Sequence, residues 1–242
     1  MARAKSAAAD SSDNKRASQR NEKAKSLADQ AYCQLREDII TCKLHPGNDL
    51  SEQDLAESLK MSKTPVREAL ARLALEGLVE VFPRRGYRVT PVTVKSVNDV
   101  FTVRKALEGV ACELAAVRMD GSEIDQVEEL SQARYIPGEE PTVASFIKAN
   151  NAFHSAIAEA SRVPRLKQLI DSYLEESTRL FHMGAAVRDV NPETIKDHAR
   201  IVTALRAHDP DAAREAIHEH TENTRHGLLT ALISDRESLL VL

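Results

Sequence analysis

The sequence predicts a mainly α-helical protein with one short β-hairpin in its front part. Ala, Leu and Glu are abundant, whereas aromatic residues make up only 4% and Trp is absent, a composition that favours helices over packed sheets. Apolar residues recur at spacings of three and four over most of the chain from Leu27 onward. Only residues 78–90 have the pattern of strands, with two short runs on either side of a turn rich in Pro, Arg and Gly.

Composition excludes several classes of protein. The 242 residues, 42% of them hydrophobic, suffice for one large or two modest domains and exclude a wholly disordered chain. No apolar run approaches the roughly 18 residues that cross a bilayer, so we expect no membrane partner. Cys33, Cys42 and Cys112 form neither a CxxC site nor a disulfide framework, which indicates a reducing compartment. We therefore expect a cytoplasmic protein.

The formal net charge of −4 conceals an uneven distribution of charge along the chain. Residues 1–91 carry a net charge of +3, and residues 92–242 a net charge of −7. Within 60–88, seven Lys and Arg residues face only three Glu, so this stretch can attract a polyanion. Residues 1–26 contain no apolar residue larger than Ala after Met1, so we expect them to form a disordered basic tail.

Three short helices and then the hairpin are predicted for the front part of the chain. The first helix begins at Leu27 and ends before Pro46. The second begins at Ser51, whose neighbours resemble a capping box. The third has Pro65 in its first turn, where a missing N–H costs little, and ends near Gly77. This order of elements is that of a winged helix-turn-helix domain.

A winged helix-turn-helix over residues 27–93 predicts a DNA-binding domain. The start of its third helix would point free N–H groups at phosphates and side chains at the major groove, and the tip of the hairpin would reach the minor groove. The alternative is a module that binds another protein, but the density of Lys and Arg on these two surfaces disfavours it. The candidate DNA contacts are Lys63, Thr64, Arg67, Arg72, Arg84, Arg85 and Gly86.

Four motifs in this part of the chain carry a resemblance to a known family. They are LHPG at 44–47, LSE at 50–52, SKTPVREAL at 62–70 and EGLV at 76–79. Over about 60 residues this pattern resembles the amino-terminal domain of GntR-family bacterial transcription regulators. The resemblance implies a homodimer that binds a palindromic double-stranded operator and whose second domain controls the affinity for DNA.

Two positions depart from that family pattern. Lys63 stands where arginine is usual, and Gln53 stands where members often place an arginine near the second helix. The resemblance adds Gln53 to the candidate DNA contacts. Because lysine and glutamine lack the planar fork of arginine, base contacts at these two positions should differ from the family pattern.

Residues 94–236 are predicted to form a second, all-helical domain. Its breakers are Gly121, Pro137-Gly138, Pro164, Pro192 and Pro210. The predicted helices lie near 94–118, 123–133, 142–161, 164–182, 192–207 and 210–233.

Three of the eight histidines fall on the inward faces of three different helices. They are His154, His198 and His220. Any one of them alone is typical of a core or interface histidine, but three neutral imidazoles that converge in a helical core suit a divalent cation. A pocket without metal, in which the imidazoles and an arginine hold an anion directly, is the alternative.

The layout Asn150, His154, His198 and His220 resembles the FCD ligand-binding domain, of the FadR- or VanR-like type, found behind many GntR-type winged helices. The resemblance implies a divalent metal, with Zn or Ni expected, held by these four residues, and a small carboxylate effector beside it. Asn150 replaces the usual aspartate; its carbonyl oxygen remains a donor, but the missing charge should lower the affinity for metal.

Two arginines are candidates for the effector carboxylate. Arg104, on the first helix of the second domain, is the stronger one, and Arg179 is the weaker one. The alternative for Arg104 is an ion pair with Glu108 in the same helix, without a role in binding.

The function that follows is a ligand-responsive, sequence-specific transcription regulator, expected to be a repressor. A small metal-dependent enzyme is the alternative from another class. The chain has no HExxH motif and no acidic residue clearly placed as a base beside the histidines, so we expect no enzymatic activity.

Overall fold

The computed structural model describes residues 26–83, 86–136, 139–187, 189, 191–234 and 240–241. The predicted tail, residues 1–26, lies outside this part of the chain except for Ser26, and so do Arg84 and Arg85. Ser26 caps the first helix, since its hydroxyl accepts a hydrogen bond from the backbone N–H of Asp29 at 3.0 Å.

The front part folds into three helices: α1 (Leu27–Ile40), α2 (Glu52–Leu59) and α3 (Lys63–Leu75). Ser51 caps α2 by accepting from the N–H of Asp54, as its sequence pattern predicts. Gly77 follows the end of α3 with a φ of +72°, the left-handed conformation typical of a helix terminus. Their apolar faces share one core, whose fully buried members are Ala31, Leu35, Ile39, Val66, Ala69, Leu70, Leu73 and Val89.

The predicted hairpin is present as β2 (Val79–Phe82) and β3 (Gly86–Val89). A third strand, β1 (Asp49–Leu50), adds to it in the antiparallel order β1-β3-β2. The sequence analysis missed β1 because two residues are too few to show alternation.

Gly86 is the first residue of β3, where it pairs with Phe82 of β2 and lies close to the end of β1. Its φ is +97°, and a Cβ atom added there would lie 2.9 Å from the carbonyl oxygen of Leu50. Both the backbone conformation and the close approach of β1 therefore require glycine.

We expect Gly86→Ala to lower the free energy of unfolding by about 2 kcal/mol, from left-handed strain and the contact with Leu50. Thermal unfolding followed by circular dichroism measures this. Gly121→Ala is the matched control, because nothing lies within 4 Å of its added Cβ and its φ is not positive. Equal melting temperatures for the two variants would contradict the assignment.

The second part of the chain is a helical bundle. Its helices are α4 (Val94–Arg118), α5 (Gly121–Ser131), α6 (Glu140–Ala160), α7 (Pro164–Val187), α8 (Asn191–Arg206) and α9 (Pro210–Ser234). Helix α4 packs against α6, α7, α8 and α9 and so forms the centre of the bundle. The mainly helical fold class is thereby confirmed, with most helix ends within two residues of the predicted ones.

A short parallel pairing joins β4 (Val92–Thr93) to β5 (Leu240–Val241) beside the start of α4. The periodicity of the sequence did not predict it, because each strand has only two residues. In the described part of the chain, none of the helices combines the length and the apolarity needed to cross a bilayer.

Candidate DNA-reading surface and candidate metal centre

Arg67 projects from the second turn of α3 and is exposed. In the free protein its guanidinium donates to Glu52, at the start of α2, with Nε 3.0 Å from Oε1 and Nη2 2.7 Å from Oε2. The fork of the side chain is therefore held rigid and points away from the core. An exposed pair of this kind contributes only about 0–1 kcal/mol, so a stronger partner can displace Glu52.

The neighbouring candidates share the exposed surface at the start of α3. Lys63 is its first residue, and its Nζ lies 3.4 Å from Oε1 of Gln53 on α2. Thr64 is exposed one residue further on. The structure thus brings Gln53, Lys63, Thr64 and Arg67 to one surface.

Arg72 lies on a different side of α3. At 100° per residue it stands about 140° around the helix from Arg67. Its guanidinium pairs with Asp29 at 2.7 Å and lies 3.9 Å from the ring centroid of Tyr32, both on α1. These contacts give Arg72 a packing role, and its assignment to DNA stays a prediction. Gly86, the remaining candidate among the described residues, is the first residue of β3 in the hairpin, which we call the wing.

The three predicted histidines converge in the centre of the bundle. His154 on α6, His198 on α8 and His220 on α9 each offer one ligand atom, and these atoms all lie within 4.8 Å of one another. The residues are 2%, 2% and 4% exposed. Nε2 of both His154 and His198 is buried without a hydrogen-bond partner, and Phe153 stacks on the ring of His198 at 4.0 Å. Buried nitrogens without partners are costly unless something fills the space between them.

Burial keeps two of these imidazoles neutral. It lowers the pKa of His154 to about 4, although Glu108 acts in the opposite direction. It also lowers the pKa of His198 well below its usual range, and the proximity of His220, His154 and Arg104, each of which disfavours a further positive charge, adds to this effect. A neutral imidazole is the form that binds a metal ion.

Glu108 of α4 lies against the outer side of the cluster. Its Oε2 is 2.7 Å from Nδ1 of His154, and its Oε1 accepts from Nε of Arg104 at 2.7 Å. Burial alone would raise the pKa of Glu108, but Arg104 and His154 outweigh it and hold that pKa well below its usual range. Glu108 is therefore an ionised carboxylate inside the bundle.

A second carboxylate stands beside His220. Oδ2 of Asp197 lies 3.6 Å from Nδ1 of His220 and accepts a hydrogen bond from the side-chain amide of Asn223 at 2.9 Å. Burial raises the pKa of Asp197, but its contacts with His220 and Asn223 outweigh this and lower it overall. Sequence reasoning missed both Glu108 and Asp197 as parts of the centre; the only local signal was that Asp197 directly precedes His198.

A small cavity adjoins the histidines. Its volume is about 30 Å³, enough for a water molecule or an ion. Asn150, which is buried and whose Nδ2 has no hydrogen-bond partner, lines it together with His220. Two carboxylates, Glu193 and Asp197, also line it, whereas no Lys or Arg does among the described lining residues.

Neither of the two candidate effector arginines lines this cavity. Arg104 is 2% exposed; it pairs with Glu108, and its Nη1 is 3.3 Å from the hydroxyl of Ser177 on α7. The alternative reading of an ion pair within α4 is thus realised, in a buried form. Arg179 lines a cleft of about 990 Å³ between the front part of the chain and the bundle, away from the histidines.

Among the described residues, one ion pair bridges that cleft. Arg36 on α1 donates to Glu175 on α7 at 2.5 Å, and its Nε lies 3.4 Å from Glu76 at the end of α3. The hydroxyl of Tyr32 donates to the same Glu76 at 2.6 Å. Helix α7 therefore contacts both the central helix α4 and the part of the chain that presents α3.

Comparisons with known proteins agree with this arrangement. The profile described as bacterial regulatory proteins, gntR family, matches residues 27–89, and the FCD domain profile matches residues 99–223, more than half of the chain. The HTH-type transcriptional regulator YdhC of Bacillus subtilis (strain 168) is 29% identical over 217 residues, 86% of this chain and 94% of that protein.

Two further proteins are similar over nearly the same extent. The HTH-type transcriptional repressor RspR of Escherichia coli (strain K12) is 27% identical over 193 residues, 80% of this chain and 85% of that protein. The solved structure of E. coli McbR/YncC has a TM-score of 0.64 at 27% identity and covers 85% of this chain and 98% of its own. The family and these relatives are transcription regulators rather than enzymes, as predicted for this chain. The chain belongs to the GntR family of bacterial transcription regulators and carries an FCD domain behind its winged helix-turn-helix.

Proposed function

We propose that this regulator is a repressor that binds a palindromic operator as a homodimer and responds to a small carboxylate through a divalent metal. The observation that carries the sensor half of the proposal is the convergence of three buried histidines within 4.8 Å. In this proposal residues 27–93 bind DNA, and residues 94–236 bind metal and effector and form the dimer.

The DNA contacts are proposed for the exposed start of α3. Arg67 would donate its fork to a base edge, whereas Lys63, Thr64 and Gln53 would contact phosphates or bases beside it. Arg84 and Arg85 at the tip of the wing would enter the minor groove. The exposure of the first four side chains on one surface supports this assignment.

The metal ligands are proposed to be the three imidazoles and the carbonyl oxygen of Asn150. Nitrogen ligands suit Zn²⁺ and Ni²⁺, and the buried Nε2 atoms without partners are the donors such an ion requires. When bound, the ion would supply a positive charge beside the cavity. The four side chains would hold it and exclude bulk water from it.

A carboxylate effector is proposed to occupy the cavity beside Asn150 and His220. Because Asp197 lines that cavity and no Lys or Arg does among its described lining residues, an anion would be repelled there in the absence of metal. Effector binding should therefore depend on metal, which distinguishes this proposal from the alternative of a metal-free pocket. The cavity of about 30 Å³ must open to admit the effector, and this supplies a conformational change.

Helix α7 is proposed to transmit that change. Its Ser177 contacts Arg104, which lies beside the three histidines. Its Glu175 pairs with Arg36 of α1, and Arg36 also contacts Glu76 at the end of α3. A shift of α7 would alter the spacing of the two reading helices of the dimer, and with it the affinity for half-sites about one helical turn apart.

A thermal-shift series tests the proposal. The full chain, stripped of metal, is heated alone, with Zn²⁺ or Ni²⁺, and with a panel of small carboxylates in the presence and absence of a chelator. We expect carboxylates to raise the melting temperature only when metal is present. An equal rise with chelator would favour the metal-free pocket, and no stoichiometric metal in elemental analysis of the protein as purified, before it is stripped, would reject the metal site.

A further inference from the structure

Glu108 lies against the buried histidines but is not one of the four proposed metal ligands. Its two carboxylate oxygens face two different partners, His154 and Arg104, and all three side chains are buried. Nδ1 of His154 and Oε2 of Glu108 lie 2.7 Å apart, a close ion-pair contact, and neither atom has a hydrogen-bond partner elsewhere among the described residues. The carboxylate therefore has two physical effects, one on an imidazole and one on a guanidinium.

We propose that Glu108 is a positioning residue of the metal centre, which fixes the tautomer of His154 and cancels the charge of Arg104. The inference rests on the metal site of the proposed function. Glu108 lies outside the proposed ligands, and its replacement should weaken the binding of metal.

The first effect concerns the imidazole of His154. An ionised carboxylate can only accept, so it favours the tautomer with the proton on Nδ1. Nε2, which is buried without a partner, is then left with its lone pair. A carboxylate behind a histidine in this way orients the ring and raises its basicity toward a metal.

The second effect concerns charge inside the bundle. Arg104 is 2% exposed, and its guanidinium is buried directly behind the carboxylate that contacts His154. An unpaired guanidinium at this depth would repel a divalent cation. Glu108, 2.7 Å from it, cancels that repulsion.

Neutralising Glu108 and neutralising Arg104 should therefore change the affinity for metal in opposite directions. Glu108→Gln leaves Arg104 uncompensated and replaces the ionised acceptor behind His154 with a neutral amide, so we expect Zn²⁺ to bind about 10- to 100-fold more weakly. Arg104→Gln leaves an uncompensated carboxylate near the site, so we expect Zn²⁺ to bind more tightly, on the order of tenfold. The double variant should bind more tightly than Glu108→Gln and more weakly than the wild type.

The experiment measures Zn²⁺ affinity of the full chain by competition with a chromophoric chelator, and Co²⁺ absorption spectra report the geometry. Glu113→Gln is the matched control, because it makes the same change of charge on the same helix at a half-buried position away from the histidines, where Glu113 pairs with Arg214. A purely structural ion pair would make both single variants less stable without metal and leave their Zn²⁺ affinities alike.

The outcomes separate this inference from the proposed function. If the wild type binds Zn²⁺ and Glu108→Gln binds it equally well, the role of Glu108 is overturned while the metal site stands. If the wild type binds neither Zn²⁺ nor Ni²⁺, the metal site itself fails, and the inference fails with it. Should a single variant not fold, the double variant, which buries no unpaired charge, decides: affinity equal to the wild type would overturn the proposal.

Discussion

His198→Ala is expected to abolish stoichiometric binding of Zn²⁺ or Ni²⁺ by the regulator. The variant keeps only two of the three imidazoles that converge within 4.8 Å, and a structural site needs about four ligands. Replacing a residue that only supports a metal ligand weakens metal binding by up to roughly 100-fold, so the loss of a ligand itself should weaken it by more. For the wild type, metal at 100 times its Kd should stabilise by about 2.7 kcal/mol, or roughly 5–10 °C in melting temperature.

The rise in melting temperature on adding metal is the quantity to compare. His198 also stacks on Phe153, so its removal lowers the stability of the metal-free protein as well, and absolute melting temperatures would mix two effects. His226→Ala serves as the control, because it removes an exposed histidine from α9, the helix that carries His220. A metal-induced rise in His198→Ala as large as in His226→Ala would reject the histidine site.

Arg67→Ala is expected to weaken operator binding by about 1–3 kcal/mol, or roughly 5- to 150-fold, and to relax base preference at one position of each half-site. Arg67 must release Glu52 when it contacts DNA. That ion pair contributes only about 0–1 kcal/mol, less than a good bidentate contact with a base. Fluorescence anisotropy with operator and scrambled duplexes at fixed salt measures both effects.

Two further arginine variants calibrate that result. Arg206→Ala removes an exposed arginine of the bundle that pairs with Asp125, so it matches the change of net charge far from α3. Arg72→Ala should cost less base preference than Arg67→Ala, because Arg72 packs on Tyr32 of α1. If all three variants bound the operator alike, α3 would not be the reading helix.

Much of the fold was predictable because it follows from local rules. Apolar periodicity and breakers at Gly121, Pro164 and Pro210 define helices whose ends need no distant information. The positions of the histidines around their helices likewise predicted which of them face inward. Once the apolar stripe of a helix is buried, the direction of every other side chain on that helix is fixed.

The remainder depends on contacts between residues far apart in the chain. Whether Arg104 binds an effector or pairs with Glu108 could not be decided from α4 alone, because His154, 46 positions later, completes the arrangement. The direction of Arg72 is decided by Tyr32 and Asp29 on another helix. Charged side chains are long enough to take more than one partner, so their spacing alone does not select one.

The Arg36–Glu175 bridge has a consequence for hybrid regulators. Joining this DNA-binding part to the FCD domain of a relative at Pro91 would leave Arg36 opposite whatever side chain replaces Glu175. A hybrid with an acidic residue there keeps the attraction, whereas a hybrid with a lysine sets two like charges against each other. The charge at this one position of α7 should therefore change how well an exchanged sensor domain packs against the DNA-binding part, even when every effector-binding residue is transferred intact.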